Sequence, residues 1–128
     1  FYGQFKVTDK TNVTADFDVG SQQSANKSNK YDTWFSPVLI LQYKPTDKIQ
    51  LAARGEYYND EKGVIIATET PNGFQTYGFS ANFDYLVTDN VMFRIEARNL
   101  SSKDEVFTKN NLPTDTNTFV TTSLAISF

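Results

Sequence analysis

Between residues 91 and 98 the chain changes character at almost every step: Val91, Phe93, Ile95 and Ala97 are apolar, while Arg94, Glu96 and Arg98 are charged. A period of two marks a strand whose two faces meet different surroundings. The same period runs through 74–87, where Tyr77, Phe79, Ala81, Phe83 and Tyr85 oppose Thr76, Gly78, Ser80, Asn82 and Asp84. It recurs in 49–59, with Ile49, Leu51, Ala53 and Tyr57 against Gln50, Arg54 and Glu56, and in 12–20, with Val13, Ala15, Phe17 and Val19 against Thr14, Asp16 and Asp18. Together with apolar-polar stretches elsewhere, the pattern predicts seven strands, at 1–7, 12–20, 31–45, 49–59, 74–87, 91–100 and 117–128. The third is the irregular one. Its "WFSPVLILQYK" is apolar on both faces, and Pro37 removes a ladder donor. A bulge or bend near Ser36–Pro37 is expected, resetting the facing of Trp34 relative to Leu39 and Leu41.

The connections fall into two classes. A Thr-Asp phrase recurs in "KVTDKTNV", "YKPTDKIQL" and "YLVTDNVMF", with the pair at residues 8–9, 46–47 and 88–89, spaced by 38 and 42 residues. Thr and Asp side chains bond nearby backbone, so each copy is expected to form a tight turn. Between the turns lie long polar connections at 20–30, 59–73 and 101–116. If Thr88, Asp89 and Asn90 form a three-residue loop, Asp84 falls opposite Arg94 and Phe83 opposite Ile95. An ion pair then sits on the polar face and an aromatic–aliphatic pair on the apolar one.

Alternation alone fits a soluble barrel or sandwich with a greasy core and equally an outer-membrane barrel, which turns its apolar face to lipid and its charges to a lumen. Three features favour the second. Short turns on one end and long loops on the other match the periplasmic and external ends of such barrels. Aromatics gather at strand ends, Tyr43, Tyr85 and Phe93 beside the short turns and Tyr57, Tyr58, Phe74 and Tyr77 beside the long loops, as two interfacial girdles would. The last strand ends on Phe128 after Leu124 and Ile126, which resembles the C-terminal assembly signal of bacterial outer-membrane proteins. The expected fold is therefore all-β: an antiparallel up-and-down transmembrane β-barrel, a meander with about seven strands present. Placing Phe128 on the periplasmic side puts the three Thr-Asp turns there and leaves strand 1–7 entering from outside, seven strands in all, whereas single-chain bacterial barrels have an even number. N-terminal strands ahead of Phe1 are accordingly expected, and residues 1–128 are read as the C-terminal part of a larger barrel.

Composition narrows the chemistry. The 128 residues include eleven Phe and seven Tyr, which favour pleated surfaces over helices, and contain no apolar run long enough for a membrane helix, for which ~18 residues are needed. Spanning strands need only alternate residues to be apolar, so the chain's polar average is compatible with lipid. The net charge of −3, with no basic cluster, argues against nucleic acid. The absence of His and Cys removes thiol chemistry, the common zinc sites and His-based catalysis. No cofactor or metal is expected.

The segment "GFQTYGFSANFDYLVTDNVMFRIEARNLSSKDEVF", residues 73–107, resembles the C-terminal region of the OmpL-like beta-barrel porin family of Gram-negative outer membranes, and "YKPTDKIQLAARGEYYND", residues 43–60, resembles the preceding hairpin of the same kind. The likeness is carried by the aromatic strand ending in Asp84–Tyr85, the short turn, the "RIEAR" strand Arg94 to Arg98 and the polar loop and Phe after it. Members of that family are longer than this chain, so the resemblance also implies a larger barrel.

The function expected is a passive pore for small hydrophilic solutes and ions, with Asp16, Asp18, Arg54, Glu56, Asp84, Arg94, Glu96 and Arg98 lining its lumen. The same charges would equally suit an ordinary solvated face. A second reading is a plugged structural or partner-binding barrel that works through its external loops, motivated by the apolar Val64, Ile65 and Ile66 in "GVIIATETPNG". A membrane enzyme would have only carboxylate pairs such as Asp16 and Asp18 for acid–base work, and alternate strand residues share a face by default. No enzymatic role is expected. A soluble lipocalin-like binder would be recognised by solubility without detergent. The partners expected are membrane lipid, the barrel-assembly machinery and other outer-membrane proteins or further copies of the chain.

Overall fold

The computed structural model describes residues 1–24 and 29–128. Among them there is no helix; the chain forms β1 (Tyr2–Thr8), β2 (Thr11–Gln23), β3 (Tyr31–Tyr43), β4 (Ile49–Asp60), β5 (Phe74–Thr88), β6 (Val91–Ser102), β7 (Phe107–Lys109), β8 (Leu112–Thr114) and β9 (Thr116–Ile126). Seven of these make one antiparallel meander in the order β1-β2-β3-β4-β5-β6-β9, and β7 and β8 make a separate small hairpin.

The sheet is in phase from edge to edge. β2 and β3 pair without a break from Thr11 opposite Tyr43 to Gln23 opposite Tyr31, and β4 and β5 from Ile49 opposite Tyr85 to Asp60 opposite Phe74. Asp84 lies opposite Arg94 and Phe83 opposite Ile95, the expected register. The turn that sets it differs from a plain three-residue loop: Thr88 itself pairs with Val91, and the register shifts between Leu86 and Thr88. The first turn repeats this, with Thr8 opposite Thr11 and a shift between Lys6 and Thr8. Each valine before a Thr-Asp pair, Val7 and Val87, is thus the extra residue of a bulge, which lets a two-residue turn follow strands of fixed facing. The Thr8 hydroxyl accepts from the Lys10 amide at 3.2 Å, and that of Thr46 from the Ile49 amide at 3.1 Å. The middle turn is longer because Pro45 cannot donate to a ladder.

Several expectations need correction. No bulge forms at Pro37: β2 pairs straight through it, Asp18 opposite Ser36 and Phe17 opposite Pro37. Pairing with β4 runs at Phe35–Asn59 and again from Val38–Glu56, in the same register on both sides of the proline. The missing donor costs local ladder bonds but not phase, so Trp34 shares its face with Val38 and Ile40, opposite to Leu39 and Leu41. Of the connection expected at 20–30, residues 20–23 belong to β2, while residues 25–28 lie outside those described. The connection at 101–116 contains the β7–β8 hairpin, turned by Asn110 and Asn111, both at positive φ (53° and 64°).

The two faces differ sharply. Along β5, Thr76, Gly78, Ser80 and Asp84 are buried while Tyr77, Phe79, Ala81, Phe83 and Tyr85 are exposed. Phe79 is 60% exposed and Asp84 1%. Among the described residues no hydrophobic side chain is buried, whereas Thr14, Asp60, Thr76, Ser80, Asp84 and Ser102 are. In a single sheet with no second layer, one face becomes buried only by curling inward. The polar face, even-numbered on β2 to β6 and odd-numbered on β9, is therefore the inner one.

On the outer face an aromatic row crosses four strands near the long loops: Phe17 to Phe35 at 6.3 Å, Phe35 to Tyr57 at 6.0 Å and Tyr57 to Tyr77 at 4.5 Å between ring centroids. Tyr58 and Phe74, expected in the same girdle, point inward instead. They alternate with Tyr57 and Gln75 and continue an inner stack from Trp34, at 5.8 Å and 5.7 Å. Toward the turns the outer face carries Tyr43, Tyr85 and the half-exposed Phe93. Tyr77 and Tyr85 are eight residues apart, about 26 Å along the strand and about 20 Å in height at a typical barrel tilt. That is close to the ~25 Å apolar band of a spanning barrel.

Candidate functional site

The inner face is built from positions that the register forces into rows. Arg54 on β4 lies opposite Ser80 on β5, and Ser80 opposite Arg98 on β6. Glu56, two residues from Arg54, lies opposite Gly78. Its carboxylate accepts from Arg54 through Oε2 and from Arg98, two strands away, through Oε1. The span is possible because residue 78 has no side chain: a Cβ there would stand 2.6 Å from Glu56 Cγ and 2.8 Å from Cδ. Gly20 does the same for Trp34, whose Cε2 would lie 2.8 Å from a Cβ at residue 20.

Nearer the turns, Arg94 binds Asp84 with both arms of its fork, Nε to Oδ1 at 2.6 Å and Nη2 to Oδ2 at 2.7 Å. The Asn82 amide adds a third bond to Oδ1 at 3.0 Å. Two donors from a planar guanidinium fix the carboxylate's position as well as its charge. Glu96 lies opposite Asn82, between the two ion-pair stations, and has no salt-bridge partner among the described residues.

All eight residues singled out from the sequence occupy this one face, because all are even-numbered on strands in continuous register. Six of them, Arg54, Glu56, Asp84, Arg94, Glu96 and Arg98, gather on β4–β6. Asp16 and Asp18 stand apart on β2, opposite Val38 and Ser36, and are in no salt bridge among the described residues. On β9, Leu124 faces Phe93 and Ile126 faces Val91, on the outer side, and both are exposed; Phe128 follows the strand, fully exposed.

Sequence reasoning missed Asp60. It ends β4, is fully buried on the inner side, and its carboxylate accepts from the amides of Val64 and Ile65, both at 2.7 Å, and Ile66 at 2.8 Å. The apolar loop stretch is therefore folded back around an anion. The signal was an acid at the strand end followed by a glycine, Gly63, at φ 65°. It also missed a clasp between two long loops: Asn72 donates its backbone N–H to Asp104 Oδ2 at 2.8 Å and its side-chain amide to Oδ1 at 2.9 Å. These bonds hold the Asp104 carboxyl below the usual aspartate range, the Asn72 side chain contributing most.

An antiparallel meander, greasy outside and ionised inside, is consistent with part of the wall of a β-barrel of the porin class. The chain belongs to the family described as "Putative beta-barrel porin-2, OmpL-like", whose model matches residues 1–128. No curated protein and no solved structure matches it.

Proposed function

We propose that the chain forms part of the wall of a water-filled outer-membrane pore that lets small hydrophilic solutes and ions diffuse passively, without catalysis. The observation that carries this reading is the inversion of the sheet: buried Asp84, Ser80 and Thr76 on one face, exposed Phe79, Phe83 and Ile95 on the other. In water, an apolar surface reaching from β1 to β9 would exceed the few hundred Å² a soluble monomer exposes. In lipid it is the required solution, since arginine at the midplane of that face would cost ~2–4 kcal/mol per residue.

Asp16, Asp18, Arg54, Glu56, Asp84, Arg94, Glu96 and Arg98 are the proposed lining, acting by electrostatics. β1 and β9 each leave one side without a partner among the described residues, and open edges are not tolerated in hydrocarbon. The open edges support the reading that residues 1–128 are one part of a larger barrel, closed by further strands. Leu124, Ile126 and Phe128 are proposed as the strand recognised during assembly. Conductance of the purified full-length protein in planar bilayers tests the pore: steady single-channel current is expected.

The second reading, a plugged barrel that binds partner proteins through its loops, is favoured by one observation. Asp60 holds Val64–Ile66 so that Ile65 remains exposed at the long-loop end. A plugged scaffold would carry no steady current in the same bilayers.

A further inference from the structure

The ion pairs on β4–β6 are not equally presented to the inside. Asp84 is 1% exposed and Glu56 14% through their side chains, while Arg54 and Arg94 are each 38% exposed and Arg98 28%. The carboxylates lie against the wall and the guanidinium groups stand over them. Gly78 permits this at Glu56 by letting the acid lie flat on the β5 backbone. With Glu96 counted, three arginines balance three acids, so a formally neutral wall offers its cations to the inside.

Between the two stations lies a recess of about 170 Å³. At roughly 30 Å³ per water it would hold a few waters or one small anion. Its lining includes Arg54 and Arg94, the neutral Gln50, Ser80 and Asn82, and the carboxylate of Glu96. Arg54 spends Nη2 on Glu56, and Arg94 spends Nε and Nη2 on Asp84, so the outer Nη1 of each has no protein partner among the described residues.

We infer that this recess is an anion subsite of the pore, taking a small oxyanion, a carboxylate or phosphate group, between Arg54 and Arg94. The inference rests on the pore reading and names the solute class that reading leaves open. Arg54 sets the subsite's charge most freely: Glu56 keeps Arg98 when Arg54 is neutralised, whereas neutralising Arg94 strands the buried Asp84. Glu96 opposes the anion and limits how tightly it is held.

The test is ion selectivity of the full-length protein in planar bilayers under a KCl gradient, with sodium acetate and inorganic phosphate added as competitors. Both competitors are expected to reduce the chloride current of the native protein, and the stronger one identifies which oxyanion the recess prefers. Arg54→Gln is expected to lower the chloride-over-potassium permeability ratio by up to about tenfold, since one charge about 6 Å away in water changes the Boltzmann factors of the two ions about threefold each and in opposite directions. Glu96→Gln is expected to raise it by a similar factor, and Arg54→Lys to preserve it. If Arg54→Gln does not fold, Glu96→Gln decides alone, since it breaks no ion pair. A channel that conducts with the same ratio in both variants overturns the subsite while leaving the pore intact. A native protein with no conductance overturns both.

Discussion

The carboxylate of Glu56 lies over the backbone of Gly78 and reaches Arg98 on the strand beyond. Any side chain at residue 78 would occupy the space of the Glu56 stem. Gly78→Ala is therefore expected to lift Glu56 off the sheet and break its bond to Arg98, destabilising the barrel by ~1–3 kcal/mol, the usual cost of inserting atoms into a filled site. Urea unfolding in detergent or lipid would measure it. Gly55 lies on the neighbouring strand and the outer face, where an added methyl group would meet nothing within 4 Å, so Gly55→Ala should be neutral or slightly stabilising. Equal effects at the two glycines would refute the close-approach account.

The Asp84–Arg94 pair makes an ordered prediction. Removing the arginine leaves a carboxylate that is 1% exposed, whereas removing the acid leaves a guanidinium that is 38% exposed and can rehydrate. Arg94→Gln is expected to cost ~3–5 kcal/mol, the range for stranding a buried charge. Asp84→Asn should cost about 1 kcal/mol or less, the scale of a pair whose remaining charge is solvated. The double variant should recover part of the larger loss, and equilibrium unfolding of all three closes the cycle. The reverse order of the single variants would refute this burial argument.

These pairs also mark how much of the molecule is legible in its sequence. Period-two alternation and the Thr-Asp turns are enough to place Asp84 against Arg94, because the bulge at Val87 makes up for a turn one residue shorter than expected and leaves the facing unchanged. Pro37 misleads, since it signals a lost hydrogen bond but not whether the strands on either side stay in phase. Tyr58 and Phe74 read as girdle residues by their nearness to a loop, yet parity puts them inside, with Trp34. Asp60 and the Asn72–Asp104 clasp are not legible, because both depend on how irregular backbone returns to the sheet. The greater exposure of Arg54 than of Glu56 is equally hidden: alternation tells which face a charge is on, not how deep it lies.

The clasp between the long loops predicts a response to acid. Folding holds Asp104 below its ordinary value, near ~4 for a free aspartate. A depressed carboxyl contributes stability above its unfolded value and loses it as pH falls through the folded one, so the clasp is intact at neutral pH and released only below ordinary aspartate titration. Hydrogen exchange of residues 61–73, corrected for intrinsic rates, should quicken across that acid window. Asp104→Ala should show the loosened loop already at neutral pH, with no further acid step from this contact. An acid step that survives in the variant would assign the effect elsewhere.

The orientation of the whole sheet can be tested at two adjacent residues. Ala81 lies on the outer face midway between Tyr77 and Tyr85, flanked by Ala53 and Ala97, so an arginine there displaces no bulky neighbour. If that face meets lipid, Ala81→Arg places a charge at the middle of the hydrocarbon and costs ~2–4 kcal/mol. Asn82 is the next residue and lies on the inner face, opposite Glu96, its side-chain amide bonded to Asp84. Asn82→Arg adds a charge to a wet wall beside an acid, and its cost should stay within about 1 kcal/mol, the scale of exposed ion pairs. Folding into lipid vesicles, scored by unfolding midpoints, compares the two directly. A water-facing outer surface would make Ala81→Arg nearly neutral, because a surface arginine is solvated and screened, and so would abolish or reverse the difference. The size and sign of the difference therefore decide which side of the sheet faces the membrane.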